Sequence, residues 1–437
     1  MADSSSASVD NEKNNASPAP GDVQPPPKPH APRPPPNGGL QAWMQVISGF
    51  CLFFNNWGIM NAFGVYQTYY ESGELFDASS SDISWVGSLA AFMLLFAGLF
   101  AGPIFDRGYL RALLAVGSFL VVFGHMMLSL SDKYYQVILS QGAAIGIGAG
   151  CLFVPCIAVV PQWFSTRLGA AMGIAVSGSA LGGVIYPIVL NRLITEIGFP
   201  WAVRVIGFMA LAMLLIPVIF MRQRVRPPKA RAFLDYSAFT DWGFMAFVLA
   251  SFLNYMGIFV IFFYLAYYGS SNGITSPSLS LYLVSIFNAG SIFGRLVPNV
   301  VADRTGPFNL LAPSSILAGM LMLCMMAVHS IPGIVIIAIA SGFMSGALIG
   351  LPPLCLVAMA KAENKLPVLG TRVGMAYAMM AFGVLASGPA AGSVLGNGRS
   401  LHWHRLWTFA GVPTLVSGFM YCAIRIWKYG GSLASKA

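Results

Sequence analysis

The chain has 437 residues, of which 57 % are hydrophobic and only 9 % charged, with a mean hydropathy of +0.71. A soluble domain carries about 25 % charged residues, so the composition excludes a soluble protein and defines a polytopic membrane protein. The net charge of +9 invites a nucleic-acid partner, but the basic residues are scattered at the ends of apolar segments, and that reading is set aside.

In chain order, residues 1–36 form a tail rich in Ser, Asn and Pro, with too little apolar content to pack. It is expected to be a disordered cytosolic leader. No signal-peptide core precedes the first span, which is expected to serve as the insertion signal. Apolar stretches then recur, each long enough to cross a bilayer as a helix. They lie near 42–67, 83–105, 111–131, 135–161, 167–192, 200–221, 242–268, 278–302, 308–328, 332–360, 366–396 and 404–428. The longest polar interruption, 222–241, divides these twelve into two sets of six. The six cysteines all fall in apolar segments and read as small hydrophobes, without disulfide or metal spacing.

Lysine and arginine give the orientation. With a cytoplasmic N-terminus, eighteen of the 24 basic residues fall on the cytoplasmic side, while Lys133, Arg192, Arg399 and Arg405 fall outside. Both termini and the middle loop are therefore expected inside. The first outer loop is acidic, with Glu71, Glu74, Asp77 and Asp82. An internal repeat supports the division into sixes. GPIFDRGYLR (102–111), with Gly102, Asp106 and Arg107, stands between spans two and three; VVADRTGPFN (300–309), with Asp303 and Arg304, stands between spans eight and nine. Each needs a glycine in a tight turn and a carboxylate that can meet a neighbouring helix end.

Polar residues inside spans mark the interior. Arg295 lies in span eight, and the nearest carboxylate in sequence is Asp303 at the span's end. A guanidinium at such depth costs about 2.5–3.5 kcal/mol on insertion scales. A neighbouring helix, a watery cavity or an anionic cargo must compensate. No Asp or Glu lies deep in a span; His125 in span three is the deep titratable group, readable as a proton-coupling residue or as a hydrogen-bonded packing residue. Asn61 and Tyr66 (span one), Asn254 and Tyr255 (span seven), Asn288 (span eight) and Tyr377 (span eleven) should face the interior, because unpaired polar groups in lipid are costly. Each either touches cargo or bridges helices. The glycines of spans four, five and eleven read as close helix contacts. Arg167, at the start of span five, reads as an anchor or gate.

Two further motifs carry a resemblance. PNGGLQAW (36–43) leads into span one, and QWFSTRLGAAMGIAVSGSALGG (162–183) opens span five. With the repeated DRG-type loop they make the chain, over about 40–430, resemble the major facilitator superfamily, and within it the monocarboxylate porter family in its fungal branch. The first resembles the family's Asp-Gly-Gly-aromatic entry, with Asn37 in place of the acid. The second is similar to its Tyr-Phe-x-Lys-Arg…Ala-x-Gly signature. The resemblance implies two six-helix bundles rocking about a central site. It also implies that Arg295, in Phe293-Gly294-Arg295, binds a substrate carboxylate. Animal-type members carry an aspartate and a lysine where this chain has Ser291 and Asn61, so the lactate-type relay does not carry over.

The expectation is therefore an all-α major facilitator fold of twelve transmembrane helices. Its parts are a tail (1–36), a six-helix bundle (37–221), a basic linker (222–241), a second bundle (242–428) and a short tail (429–437). The expected function is secondary-active transport of a small, anionic organic molecule by alternating access, leaning to efflux of a fungal secondary metabolite. A proton-linked uptake permease for a monocarboxylate or vitamin, and a non-transporting nutrient sensor of the same fold, stay as alternatives. No ATP-binding loop of the G-x-x-x-x-G-K-[ST] type and no hydrolase constellation is present, so no enzyme, cofactor or metal is expected. The protein is expected to be monomeric, in the plasma membrane.

Overall fold

The computed structural model describes residues 35–164, 168–224, 232–365, 368–396 and 401–430; the side chains of 168–170, 277, 278, 281 and 303 lie outside that description. Nearly all of the Pro-rich tail, Arg167, Arg399, part of the linker and the Asp303 side chain thus fall outside the described residues.

Those residues form helices and connections, with no strand among them. The helices are α1 (Leu40–Asn61), α2 (Phe63–Glu71), α3 (Ser80–Asp106), α4 (Leu110–Leu128), α5 (Tyr134–Val137), α6 (Gly146–Ala158), α7 (Leu168–Phe220), α8 (Trp242–Ser271), α9 (Pro277–Thr305), α10 (Phe308–Cys324), α11 (Ile331–Gly350), α12 (Pro352–Ala362), α13 (Leu369–Leu395) and α14 (Trp403–Tyr429). A π-helical stretch, Ile138–Ile145, joins α5 to α6. Helix starts follow local chemistry. Ser79, Asp241, Ser276 and Ser330 cap α3, α8, α9 and α11 by accepting from a backbone N–H three residues on. Prolines in the first turn of α9 and α11 supply the φ a helix start needs.

Nine stretches among the described residues are long and apolar enough to span a bilayer. One of them, Ala171–Phe220, is two crossings. The 53 residues of α7 would make a rod of about 80 Å, far beyond a hydrocarbon core of about 30 Å. The rod turns at Gly198, whose φ of 77° lies outside the right-handed helical region. The two remaining crossings are α1–α2 and α9, made less apolar by Gln45, Asn55, Asn56 and Asn61 in one and by Asn288, Arg295 and Asn299 in the other. The twelve crossings are complete.

Helices α1–α7 pack largely on one another, and so do α8–α14, except that α2 and α13 pack most heavily across to the other set. The two sets meet along a seam where α3 lies on α13, the first half of α7 on α9, and α2 on α8. One end of the seam carries the linker and the start of α1 (the linker end); the other carries Gly198 and residues 72–79 (the far end). The seam is tight at the far end. A Cβ at Gly392 would stand 2.6 Å from the Ser81 backbone, and one at Gly388 would run into Ser88 Oγ. Towards the linker end it loosens. A Cβ at Gly374 meets only the tip of Leu99 at 3.4 Å, and one at Gly173 only the tip of Leu296 at 3.5 Å.

Candidate substrate site

The polar stripe of α9 organises the middle of the seam. Asn288, Ser291, Arg295 and Asn299 fall at intervals of three and four residues, which places them on one helix face. Arg295 is 5 % exposed. Its Nε donates to Ser291 Oγ at 3.3 Å, within α9, and its Nη1 donates to Ser179 Oγ of α7, in the other set. Its Nη2 has no partner among the described residues. A buried guanidinium held by two neutral hydroxyls keeps its full charge and a spare donor. Such a site favours an anion with an oxygen placed to accept.

One turn or two along α9, three elements converge. A Cβ on Gly183 of α7 would lie 2.6 Å from Asn288 Oδ1 and 3.1 Å from Asn61 Cβ. Asn288 Oδ1 and Asn61 Nδ2 are both buried and unpartnered among the described residues. Tyr255 of α8 interacts electrostatically with Arg295, and its buried hydroxyl is likewise unpartnered. Buried polar atoms are normally satisfied. Four side chains, drawn from α1, α8 and α9, each leave a buried polar atom without a partner among the described residues, which makes this the candidate site.

Aromatic side chains wall this place. Trp57 of α1 lies 6.3 Å from Phe153 of α6 and 6.4 Å from Phe259 of α8, between ring centroids. Phe153 in turn lies 5.9 Å from Tyr377 of α13, and Phe259 lies 5.8 Å from Tyr255. Both helix sets therefore contribute rings. Sequence reading missed Trp57, Phe153, Phe259 and Ser179. Aromatic residues are common on the lipid face too, and only the fold separates the two populations. Ser179 looked like one more small residue in a glycine-rich helix.

Other expected site residues lie elsewhere. Asn254 is next to Tyr255 in sequence, but its Nδ2 donates to Ser315 Oγ of α10 at 2.9 Å, away from the seam. Tyr66 packs with Tyr70 and Phe199 towards the far end, its hydroxyl unpartnered among the described residues. His125 is buried where α4 meets Gly207 of α7, and its Nδ1 pairs with the Val121 carbonyl at 2.8 Å; it is not brought to Arg295. In the repeated loops, Gly108 and Gly306 both take positive φ, 93° and 95°, as the tight turns require. Gly102 and Asp106 are buried at the end of α3, while Arg107 and Arg304 are exposed. Glu71, expected in a loop, is instead the last residue of α2 and is half-buried.

An ionic cluster at the linker end was also not foreseen. Arg372, in the first turn of α13, donates to Asp235 at 2.8 Å and to Asp241 at 2.7 Å. Lys365 pairs with Asp241 and Glu363, both at 2.8 Å, and Lys428 pairs with Glu363. Burial pushes the Asp241 carboxyl up, but hydrogen bonds from Lys365 and Arg372 outweigh it and hold the group well below the usual carboxylate range.

Comparison with known proteins agrees with the fold and narrows the class. The Major Facilitator Superfamily profile matches residues 46–365. The MFS-type transporter dbaD of Emericella nidulans is 59 % identical over 386 residues, covering 88 % of this chain and 86 % of its own. The aspyridones efflux protein apdF of the same organism is 40 % identical over 371 residues, 85 % of this chain and 75 % of its own. Among solved structures, a point mutant of the nucleoside transporter NupG superposes with a TM-score of 0.70 over 87 % of this chain and 99 % of its own; at 12 % identity this concerns the fold alone. The chain belongs to the Major Facilitator Superfamily, and it is a membrane transporter, not an enzyme.

Proposed function

We propose that this transporter exports a small organic anion, a fungal secondary metabolite, with Arg295 as the clasp. The observation that carries the reading is the Arg295 guanidinium, buried at the seam, bonded to a hydroxyl of each helix set and left with a spare donor at Nη2. Asn61, Asn288, Tyr255 and Tyr377 line the remaining polar and aromatic wall; Asn254 bonds to α10 and Tyr66 packs towards the far end, so neither is assigned to it. A wall of Trp57, Phe153 and Phe259 suits a cargo with an aromatic or apolar body. Direction is supported by the name of one relative, an efflux protein for aspyridones.

Within the superfamily we assign the chain to the monocarboxylate porter type, on the place of Arg295 and the two glycine-containing motifs. The proposed division is a bundle at 37–221, a linker at 222–241 and a bundle at 242–428. Termini and linker face the cytoplasm, and the protein works as a monomer in the plasma membrane. Asp106, Arg107 and Gly102, with Asp303, Arg304 and Arg167, act as the gating loops at the linker end.

Untargeted metabolite profiling of a deletion strain against wild type, inside and outside the cell, identifies the cargo and its direction. With that cargo in vesicles, Arg295→Gln is expected to lower flux by at least about 100-fold, the loss of a charged hydrogen-bonding partner in a buried site, while the protein remains in the membrane. Unchanged flux removes Arg295 from the site. Saturable binding without flux in the wild type favours a sensor. Proton coupling is assigned to the cargo's own acidic group and not to His125, so His125→Ala keeps pH-dependent flux.

A further inference from the structure

Glu71 is the acidic residue of the far-end seam, and its surroundings are unusual for a carboxylate. It forms no ion pair among the described residues. Its Oε1 accepts from Gln67 Nε2 at 2.7 Å and its Oε2 from Ser80 Oγ at 2.8 Å. Both donors lead across the seam. Gln67 Nε2 also reaches Ser84 Oγ at 3.4 Å, and Ser84 Oγ is hydrogen-bonded to the Tyr264 hydroxyl of α8. The Ser80 carbonyl accepts from the same Tyr264 hydroxyl at 3.4 Å. Tyr264 further reaches the Gly388 carbonyl of α13 at 3.5 Å, and Ser81 donates to the Pro389 carbonyl at 3.0 Å. One chain of hydrogen bonds, through Gln67 and Ser84 to Tyr264, thus connects Glu71 to the residues that shut the far end, and Ser80 touches both Glu71 and Tyr264 through different atoms.

The carboxylate is short of a counter-charge. Its two partners are neutral, and no cation pairs with it among the described residues. A proton on Glu71 removes the buried charge: Oε2–H donates to Ser80 Oγ, and Oε1 goes on accepting from Gln67 Nε2.

We propose that Glu71 is a proton-binding site that controls the far-end closure, protonated when the two helix sets are shut and deprotonated when they part. The step is a simple protonation: a proton from the far-end solution binds a Glu71 oxygen, and opening returns it to the same side. No proton crosses the membrane through this group, so it sets the pH response of the gate and is independent of Arg295 and the cargo. Burial raises the carboxyl above its ordinary value in the closed form, and the hydrogen bonds from Ser80 and Gln67 oppose this. The titratable groups that act on it across the seam, among the described residues, are the phenols Tyr264 and Tyr267 of α8; from α13 the Ser393 hydroxyl and the Pro389 carbonyl meet Ser81. Because the closed form has the raised value, closure is favoured at low pH and is lost as pH rises through that value.

The test uses the full chain in nanodiscs, with Cys324 replaced by Ser and spin labels at Asp77→Cys and Ser271→Cys, exposed positions on opposite helix sets. Lowering pH from about 8 to about 5 should raise the closed-to-open ratio, by up to about tenfold for each unit separating the two forms' values. In Glu71→Gln the ratio should stay near its low-pH level at every pH, and Glu71→Asp should retain a response with a displaced midpoint. A response in Glu71→Gln equal to the parent's overturns the proposal. Should Glu71→Gln fail to fold, an Asp variant whose midpoint and amplitude match the parent's does so as well.

Discussion

The two ends of the seam are held by different chemistry. At the far end the helix sets meet through neutral hydroxyls and backbone carbonyls around Ser81, Ser84, Tyr264 and Pro389, with glycines letting the backbones touch. Each such hydrogen bond contributes about 0.5–1.5 kcal/mol net, so the closure is made of many small terms. At the linker end the strong interactions are ionic, but they join the linker and α8 to α13, inside one set. Between the first set and the linker or second set, the contacts described here are looser, such as the rings of Phe100 and Phe233 at 6.1 Å. Both closures are therefore built to part. Weak contacts cross the seam at each end, and the strong ones brace a single bundle so that it moves as a unit.

Breaking the brace should have the largest effect. In Arg372→Met the side chain keeps its bulk but leaves Asp235 without a cation among the described residues and Asp241 with Lys365 alone. The Arg372 side chain is 5 % exposed and that of Asp241 9 %, so solvent replaces little of the loss. Removing one partner of a buried pair costs about 3–5 kcal/mol, which thermal unfolding of purified protein should show as a clear fall in Tm. If the brace is internal to one bundle, the spin-label distances at the far end should stay unchanged in the molecules that remain folded. A change there would mean that the cluster spans the sets after all.

Gly392→Val tests the other end. Its Cβ would sit 2.6 Å from the Ser81 backbone of the opposite set, a separation that no rotamer relieves. Overpacking of this kind costs about 1–3 kcal/mol, but here the chain can escape by opening. The expected result is a shift to far-end-open conformers by about ten- to a hundredfold, lower flux, and little change in Tm. An equal loss of Tm would show that α13 cannot separate from α3 without unfolding.

Much of this architecture was legible in the sequence, and the reasons differ by element. Ten of the crossings declare themselves by unbroken apolar length, and α1 and α9 could still be placed because their polar residues are few. Gly108 and Gly306 mark their turns because only a positive φ fits there. Arg295 was conspicuous because a charge in an apolar run has a large cost. Its partner was not: Ser179 is one hydroxyl among many, 116 residues away. Glu71 was read as a loop residue because it closes its helix just before a polar turn, and no local pattern says that α3 folds back over it. Asp235, Asp241 and Arg372 were each unremarkable in sequence, since ion pairing between distant segments leaves no periodicity.

The smallest expected effect is a flat one, and it separates the two ends most sharply. Asp241 has its carboxyl held down in the folded protein. Its contribution is therefore complete above the unfolded value of about 3.9 and is lost only as pH falls through the depressed folded value. Lys365 is shifted the other way: hydrogen bonds to Asp241 and Glu363 raise it. Its contribution is complete below the unfolded value of about 10.4 and fades only above that. Between about pH 5 and about pH 8 neither group changes charge, so the Tm difference between wild type and Arg372→Met should not vary with pH. The far-end distances should vary over that same range. A Tm difference that follows pH would place a titrating group in the brace, and the contrast between a permanent ionic brace and a proton-sensitive closure would fail at the linker end.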